Sequence, residues 1–440
     1  MDAGEIFFYK NGVIQNSGTA AFTGIVDEVS PLIEGYGSGG LRSVTNFGQD
    51  SSFAGSKAAQ GNQDENGFGD FYYEPPAGYL ALCTQNLPDP VVADPSEYFN
   101  TVTYTGDGTT SNAITGVGFQ PDWVWLKSRN TAQNNYSIDV VRGVNNILAQ
   151  NTTSSESTFN ASWQGLYGNL TSFDADGFTV ADGTDPTYDS FNGSSDTYVA
   201  WNWKADNTSG VSNTDGTITS TVSANPTAGF SIVSYTGTGV DNTVGHGLSQ
   251  APELIIFKNR TSTAGYSWPV YSAEIGATKY LTLNGTAAAA TYNHFQDTAP
   301  TSSVFYLEGT SANSVNHSGN DHIAYCFHSV EGYSKFGSYT GNGSSDGPFV
   351  YTGFRPAFVI FKRSDSTGGF LIFDASRNPY NEVDKELFTH SSNGEGTNSD
   401  VDFVSNGFKL RTTSGNNNTS GGTYIYMAFA ENPFKYSNAR

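Results

Sequence analysis

Short apolar runs interrupt a chain of 440 residues that is otherwise rich in Gly, Ser, Thr, Asn and Asp, and three of those runs are alike. Trp123-Val124-Trp125-Leu126-Lys127, Leu254-Ile255-Ile256-Phe257-Lys258 and Phe358-Val359-Ile360-Phe361-Lys362 are continuously apolar up to the lysine, where a strand with one wet face would alternate. The pattern predicts strands covered on both faces. Proline stands at the same place before each, at Pro121, Pro252 and Pro356, and a strand entrance tolerates it because its nitrogen owes no ladder bond there. Upstream of each run is Tyr-Thr-Gly, at Tyr104, Tyr235 and Tyr339, with the proline 17 and the lysine 23 residues after the tyrosine every time. Such spacing predicts three copies of one small domain.

Further strands complete each copy. Asp176-Gly177 and Asn406-Gly407 sit between apolar positions and predict hairpin turns, because both dipeptides accept positive φ. The middle copy has Ser303 to Leu307 there and lacks the glycine. Closing strands run Tyr198 to Trp203, His322 to Phe327 and Tyr426 to Ala430. Aligned on Ala200, Ala324 and Ala428, they place Trp201, Tyr325 and Phe429 at one core position, next to a site where close sheet packing excludes a larger side chain. The expected organisation is a partial β-domain and connecting strand over 1–95, sandwiches over 96–206, 227–330 and 331–440, and a flexible Thr/Ser/Asn/Gly-rich linker over 207–226. The fold class is all-β, a tandem array of jelly-roll or concanavalin-like β-sandwiches.

Composition supports that class: 50 Gly, 16 Pro and only 14% charged residues suit short strands and tight turns. With 42 acidic against 20 basic residues the net charge is −22, which repels phosphate backbones and anionic lipid and excludes nucleic acid as a partner. No apolar run approaches the roughly 20 residues of a membrane helix. The acidic start Met1-Asp2-Ala3-Gly4 is not a signal peptide, so export by a leader of its own is not expected. Cys83 and Cys326 fall in different predicted domains and read as free thiols.

Candidate chemistry is sparse. Gly343-Ser344-Ser345-Asp346-Gly347 has the spacing of a nucleophile elbow, but proline and a strand follow it instead of a helix, so it reads as a polar turn. His317, His322, Cys326 and His328 are zinc-type ligands concentrated near one strand, although the other copies place tyrosine there. Asp174, Asp176, Asp182 and Asp185 supply oxygens for calcium without the spacing of a calcium loop. No carboxylate pair recurs among the copies, so neither enzyme activity nor a cofactor is expected. For sugar recognition, aromatic faces beside amides and cations in the non-repeated middles are the candidates: Trp163, Tyr167 and Asn169 in the first copy, Trp268 and Tyr271 in the second, Arg377 and Tyr380 in the third.

Glu5-Ile6-Phe7-Phe8-Tyr9-Lys10-Asn11-Gly12-Val13 and Val44-Thr45-Asn46-Phe47-Gly48-Gln49-Asp50 read as strands, the first ending in an Asn-Gly turn. They resemble the last strands of a SPRY domain. With the strand Asp70 to Leu82 and the three repeats, nearly the whole chain looks like the distal part of marine bacteriophage tail-fibre proteins. That resemblance implies a virion adhesin, assembled in the host cytoplasm and acting outside the cell. It would bind a host-surface glycan or envelope component through inter-strand loops, beside other virion proteins, as a homo-oligomer such as a trimer. The rival is a purely structural virion or filament subunit. In either case the half SPRY fold needs strands from upstream, from Phe71 to Leu82, or from another chain.

Overall fold

The structure is a computed structural model and describes residues 5–24, 45–158, 164–185, 190–309 and 314–437. It is nearly all β, 38% strand and 3% helix, in separate antiparallel sheets none of which closes, a β-sandwich arrangement. Two compact units divide it, Met1–Asp89 and Pro90–Arg440.

Within Pro90–Arg440 each apolar run is a central strand of a large sheet. In the first copy Trp123–Ser128 lies between the closing strand Thr197–Trp203 and Asn135–Asp139, and the first strand, Phe99–Thr105, pairs with the far side of the closing strand. Leu254–Asn259 and Phe354–Arg363 occupy the same place in the second and third copies, against Asp321–Phe327 and Thr423–Pro433. A small sheet covers one face, made of Asn112–Thr115, Gly177–Ala181 and Asn169–Asp174 in the first copy.

Both faces of the large sheet are indeed covered, by different things. Val124, Leu126, Tyr198 and Ala200 point into the first copy's own sandwich, where Phe178 and Val180 of the small sheet meet them. Their neighbours Trp123, Trp125, Trp201 and Trp203 point the other way, into a second core that also holds Tyr325 and Phe327 of the second copy and Phe358, Met427 and Phe429 of the third. The three sandwiches therefore wrap a common aromatic core. Trp123 stacks on Trp203 of its own copy and on Tyr325 of the next, at centroid distances of 4.4 and 4.2 Å.

The Tyr-Thr-Gly signature locks a loop in each copy. Tyr104, Tyr235 and Tyr339 donate their hydroxyls to the carbonyls of Phe191, Val315 and Asn417 at 2.7, 2.6 and 2.7 Å. The residue after each acceptor is a fully buried asparagine, Asn192, Asn316 or Asn418, whose amide ties down the turn that follows the glycine. The glycine is needed for close approach: a Cβ on Gly106 would lie 2.2 Å from the Gly193 carbonyl oxygen, and those on Gly237 and Gly341 would lie 2.4 Å from the oxygens of His317 and Thr419.

The ladders revise one alignment. Lys127, Lys258 and Lys362 pair with Val199, Ile323 and Ile425, so Trp201 and Tyr325 correspond to Met427, while Phe429 corresponds to Trp203 and Phe327. A slip of two residues keeps every side chain on its face, so the apolar pattern could not detect it. Ala200 and Ala324 consequently match Tyr426, and the third copy makes room with Gly337 directly across the ladder, where the other copies have Val102 and Val233. The stretch 207–226, expected as a flexible linker, instead forms Val211–Asn213 and Ser220–Asn225, which extend the second copy's large sheet. Ser220, Val222 and Ser223 are buried there and Thr221 is exposed, while the outermost strand, Val211–Asn213, is largely exposed, and such an edge of a sheet can be that polar.

In the unit Met1–Asp89, Tyr9–Lys10 pairs with Val13–Ile14 around Asn11 and Gly12, both at positive φ, as an Asn-Gly turn requires. The segment Asn46 to Asp50 is no strand: the Asn46 carboxamide oxygen accepts the amides of Gly48, Gln49 and Asp50 and curls the chain into a turn. Phe71 makes a single bridge to Asn62, and the rest of the expected strand to Leu82 is irregular. Val44 lies outside the described residues.

Candidate functional site

The lysines that mark the repeat are fully buried, and each reaches a neighbouring copy. Lys127 Nζ donates to the carbonyls of Gln133 in its own copy and Ser392 in the third, at 2.8 and 2.9 Å. Lys258 Nζ donates to Tyr266 at 2.6 Å and to Thr153 of the first copy at 3.1 Å. Lys362 Nζ donates to Gly368 at 2.7 Å and to Ala287 of the second copy at 2.8 Å. The contacts run in one direction, third to second to first to third, so three heterologous seams close a ring. Burial lowers the three pKa values to about 7, 7 and 8, with Glu395 partly offsetting it at Lys127.

Among the described residues two seams are ionic and one is not. Glu156 of the first copy takes both ends of the Arg260 guanidinium, at 2.8 and 3.0 Å, and Glu395 of the third takes Arg129 likewise, at 2.7 and 3.2 Å. The Glu156 and Glu395 amides donate to the Arg260 and Arg129 carbonyls, and at the remaining seam Ala289 donates to Ser364 in the same way. Burial alone would raise the Glu156 carboxyl, but Arg142 and Arg260 outweigh it and hold it low. Deeper in, Asp139 and Arg142 pair at 2.6 Å and receive Tyr325, whose hydroxyl donates to Asp139 at 2.8 Å. Asp374 and Arg377 pair at 2.6 Å and receive the Trp201 indole N–H at 3.0 Å. The second copy has Ser272 and Ile275 at those positions, and the third copy's equivalent of Tyr325 and Trp201 is Met427, whose side chain carries no N–H or O–H to donate.

A groove opens on the first copy at its seam with the third. Gln133, Asn134, Tyr136 and the segment around Thr152 to Ser157 line it, with Tyr167 on one side and Ser392 of the third copy completing it. It encloses about 940 Å³, open mouth included, a size suited to a small ligand. Among the described residues that line it none is charged; hydroxyls, carboxamides and two tyrosines make its surface together with the aliphatic side chains of Ala132, Ile147 and Ala149. Its position has a cause in sequence. Trp268 and Phe370 lie under Lys258 and Lys362, 5.5 and 5.8 Å from the amine to the ring centroid. The ladder puts Asn135 at that place in the first copy. A small amide stands where the other copies have a ring, and it donates to the carbonyls of Phe388, Thr389 and Ser391 across the seam at 3.3, 3.3 and 3.0 Å.

The expected recognition residues are not gathered in one place. Tyr167 lines this groove, and Asn169 is buried near it at the start of a small-sheet strand, its amide on the Leu170 carbonyl at 3.2 Å. Trp163 lies outside the described residues. Trp268, Tyr271 and Arg377, expected on ligand-facing loops, are buried: Trp268 in the common core, Tyr271 in the second sandwich, Arg377 in its pair with Asp374. Tyr271 lies on the large-sheet strand Pro269–Ser272 and Trp268 directly precedes it, and both rings serve packing. Tyr380 is exposed in the third copy and is not among the groove's lining residues. Gln133, Asn134 and Ser392 were missed, because nothing in sequence says which polar loop residues a seam will bring together.

The other clusters are occupied by the fold. His322 stacks on Tyr235 at 5.2 Å and bonds the Asn320 carbonyl at 2.9 Å, and burial lowers its pKa to about 3. Asp176 accepts the amides of Gly116 and Gly118 at 3.1 and 2.6 Å, and Asp174 accepts the Thr179 hydroxyl at 2.7 Å. Among the described residues no three His, Cys, Asp or Glu side chains are placed to hold a metal ion.

Residues 94–433 match, without interruption across the three copies, a family described as a domain of unknown function, DUF7483. No curated protein matches the chain.

Proposed function

We propose that this chain, which belongs to the DUF7483 family, is a non-enzymatic glycan-binding segment of a virion fibre, taking a neutral host-surface sugar in the groove of its first copy. The observation that carries this reading is the groove's chemistry. Its carboxamides and hydroxyls match the alternating donors and acceptors of a sugar, and the half-buried ring of Tyr167 offers an apolar face to a pyranose, whereas Tyr136 at the groove floor is buried and stacked on Phe191. Glycoside hydrolysis requires two carboxyl groups flanking the bond, and none of the described lining residues supplies one. A single shallow sugar site binds weakly, and a fibre with several copies of the chain would multiply that binding.

A structural-subunit reading has one observation in its favour. In Met1–Asp89 the apolar side chains Phe8, Val13, Phe22 and Leu82 are more than half exposed, which suits burial against another protein. Incubating the purified protein with host envelope polysaccharide, then measuring both retention and polymer length, separates the readings. Retention with unchanged length supports the glycan-binding segment, shortening makes it a depolymerase, and no retention leaves the structural subunit.

A further inference from the structure

We infer that Lys127 and Lys258 are positioning residues of the groove, which exists only because the ring is closed, whereas their counterpart Lys362 performs the same closure without touching it. The inference rests on the reading of the groove as a ligand site.

Both carbonyls held by Lys127 belong to groove-lining residues, one on each wall: Gln133 in the first copy and Ser392 in the third. The amine is fully buried and bridges them at 2.8 and 2.9 Å, so it fixes the separation of two walls that are far apart in sequence. Lys258 holds a third wall. Its acceptor, the Thr153 carbonyl, lies between Thr152 and Ser154, which line the groove, and the same segment is pinned again where Arg260 clasps Glu156. Lys362 has equal burial and more acceptors, Thr286, Ala287, Arg363 and Gly368, none of which lines the groove. One chain therefore contains two groove clamps and an internal control of the same residue type and position.

The consequence is coupling. A ligand that contacts Gln133 and Ser392 together binds only the closed seam, so by linkage it must also stabilise that closure. Binding in the first copy and cohesion with the third then become one property.

The test compares Lys127→Met, Lys258→Met and Lys362→Met in the whole chain. Each is read by thermal unfolding, by amide exchange over residues 132–136, 152–157 and 391–393, and by retention on immobilised neutral hexose and N-acetylhexosamine oligosaccharides. All three should lower the melting temperature. Only K127M and K258M should speed exchange in the groove segments and weaken retention, by about tenfold or more if the walls separate. Equal loss of retention in K362M, or unchanged exchange over 391–393 in K127M, would overturn the assignment. Where a methionine variant does not fold, the glutamine variants at the same positions are compared in the same way. If the parent protein retains none of the oligosaccharides, the glycan reading fails, and the exchange measurement still decides whether the two lysines hold the groove.

Discussion

Arg377→Ile and Asp374→Ser together reproduce, at the seam between the third and first copies, what the second copy already has at Ile275 and Ser272. Both members of the pair are fully buried, and the pair receives Trp201 Nε1 at 3.0 Å. Removing Arg377 alone leaves Asp374 as an uncompensated buried charge, which costs about 3–5 kcal/mol, and removing Asp374 alone leaves the guanidinium only the more distant Glu395, at 3.4 Å, at a cost toward the lower end of that range. Removing both takes the charges away. What remains is the Trp201 indole N–H and the Ile372 carbonyl without their partners, roughly 1–3 kcal/mol. Additivity would give the double variant about 6–10 kcal/mol, so the cycle should show a coupling energy of several kcal/mol. Urea unfolding of the four proteins, read by tryptophan fluorescence, measures it. A double variant as unstable as the sum of the singles would refute the view that the three seams are interchangeable solutions to one packing problem.

Truncating Trp201 to Ala should cost about 3–5 kcal/mol, as should Phe429→Ala, because each empties part of the common core; a smaller loss in calorimetry would mean the copies pack loosely. Gly106→Ala should disrupt the first copy's loop, since its Cβ would sit 2.2 Å from the Gly193 oxygen, whereas alanine at Gly165, with nothing within 4 Å, should be mild. Stability should rise between about pH 7 and pH 10. The unfolded lysines hold their protons up to the ordinary lysine pKa of 10.5, while the buried ones have pKa values lowered to about 7, 7 and 8, so the unfolded state binds more protons in that window. Above it the trend should reverse, because the buried hydroxyls of Tyr104, Tyr235, Tyr333 and Tyr339 titrate well above 10. On the acid side stability should fall below about pH 6.5, as His246 and His322 stay neutral in the fold with pKa values near 4 and 3. Denaturant midpoints in a pH series check all three limbs, and a flat profile between pH 7 and 9 contradicts the lysine assignment.

The repeat, the central strands and their two covered faces were legible, because a run such as Leu254 to Phe257 has only one environment in which it is stable. What covered the second face was not. Sequence has no term for a neighbour, so a core shared by Trp123, Tyr325 and Phe358 looked like three separate ones. The same blindness hid the lysines' role: their spacing marked the repeat, but their acceptors, such as Ser392 and Thr153, are backbone carbonyls that any residue could supply. Asn192, Asn316 and Asn418 could have been found, since each lies six residues before Tyr198, His322 or Tyr424, and those three residues pair with Tyr104, Tyr235 and Tyr339. Trp268 and Arg377 misled because aromatic and cationic residues in non-repeated stretches serve seams as readily as ligands.

Amide exchange of the intact chain with and without host envelope polysaccharide tests the central claim most directly. The account predicts slowed exchange over 132–136, 152–157 and 391–393 together, in the first and third copies at once. Protection confined to Met1–Asp89, or to the surface around Tyr380, would contradict it.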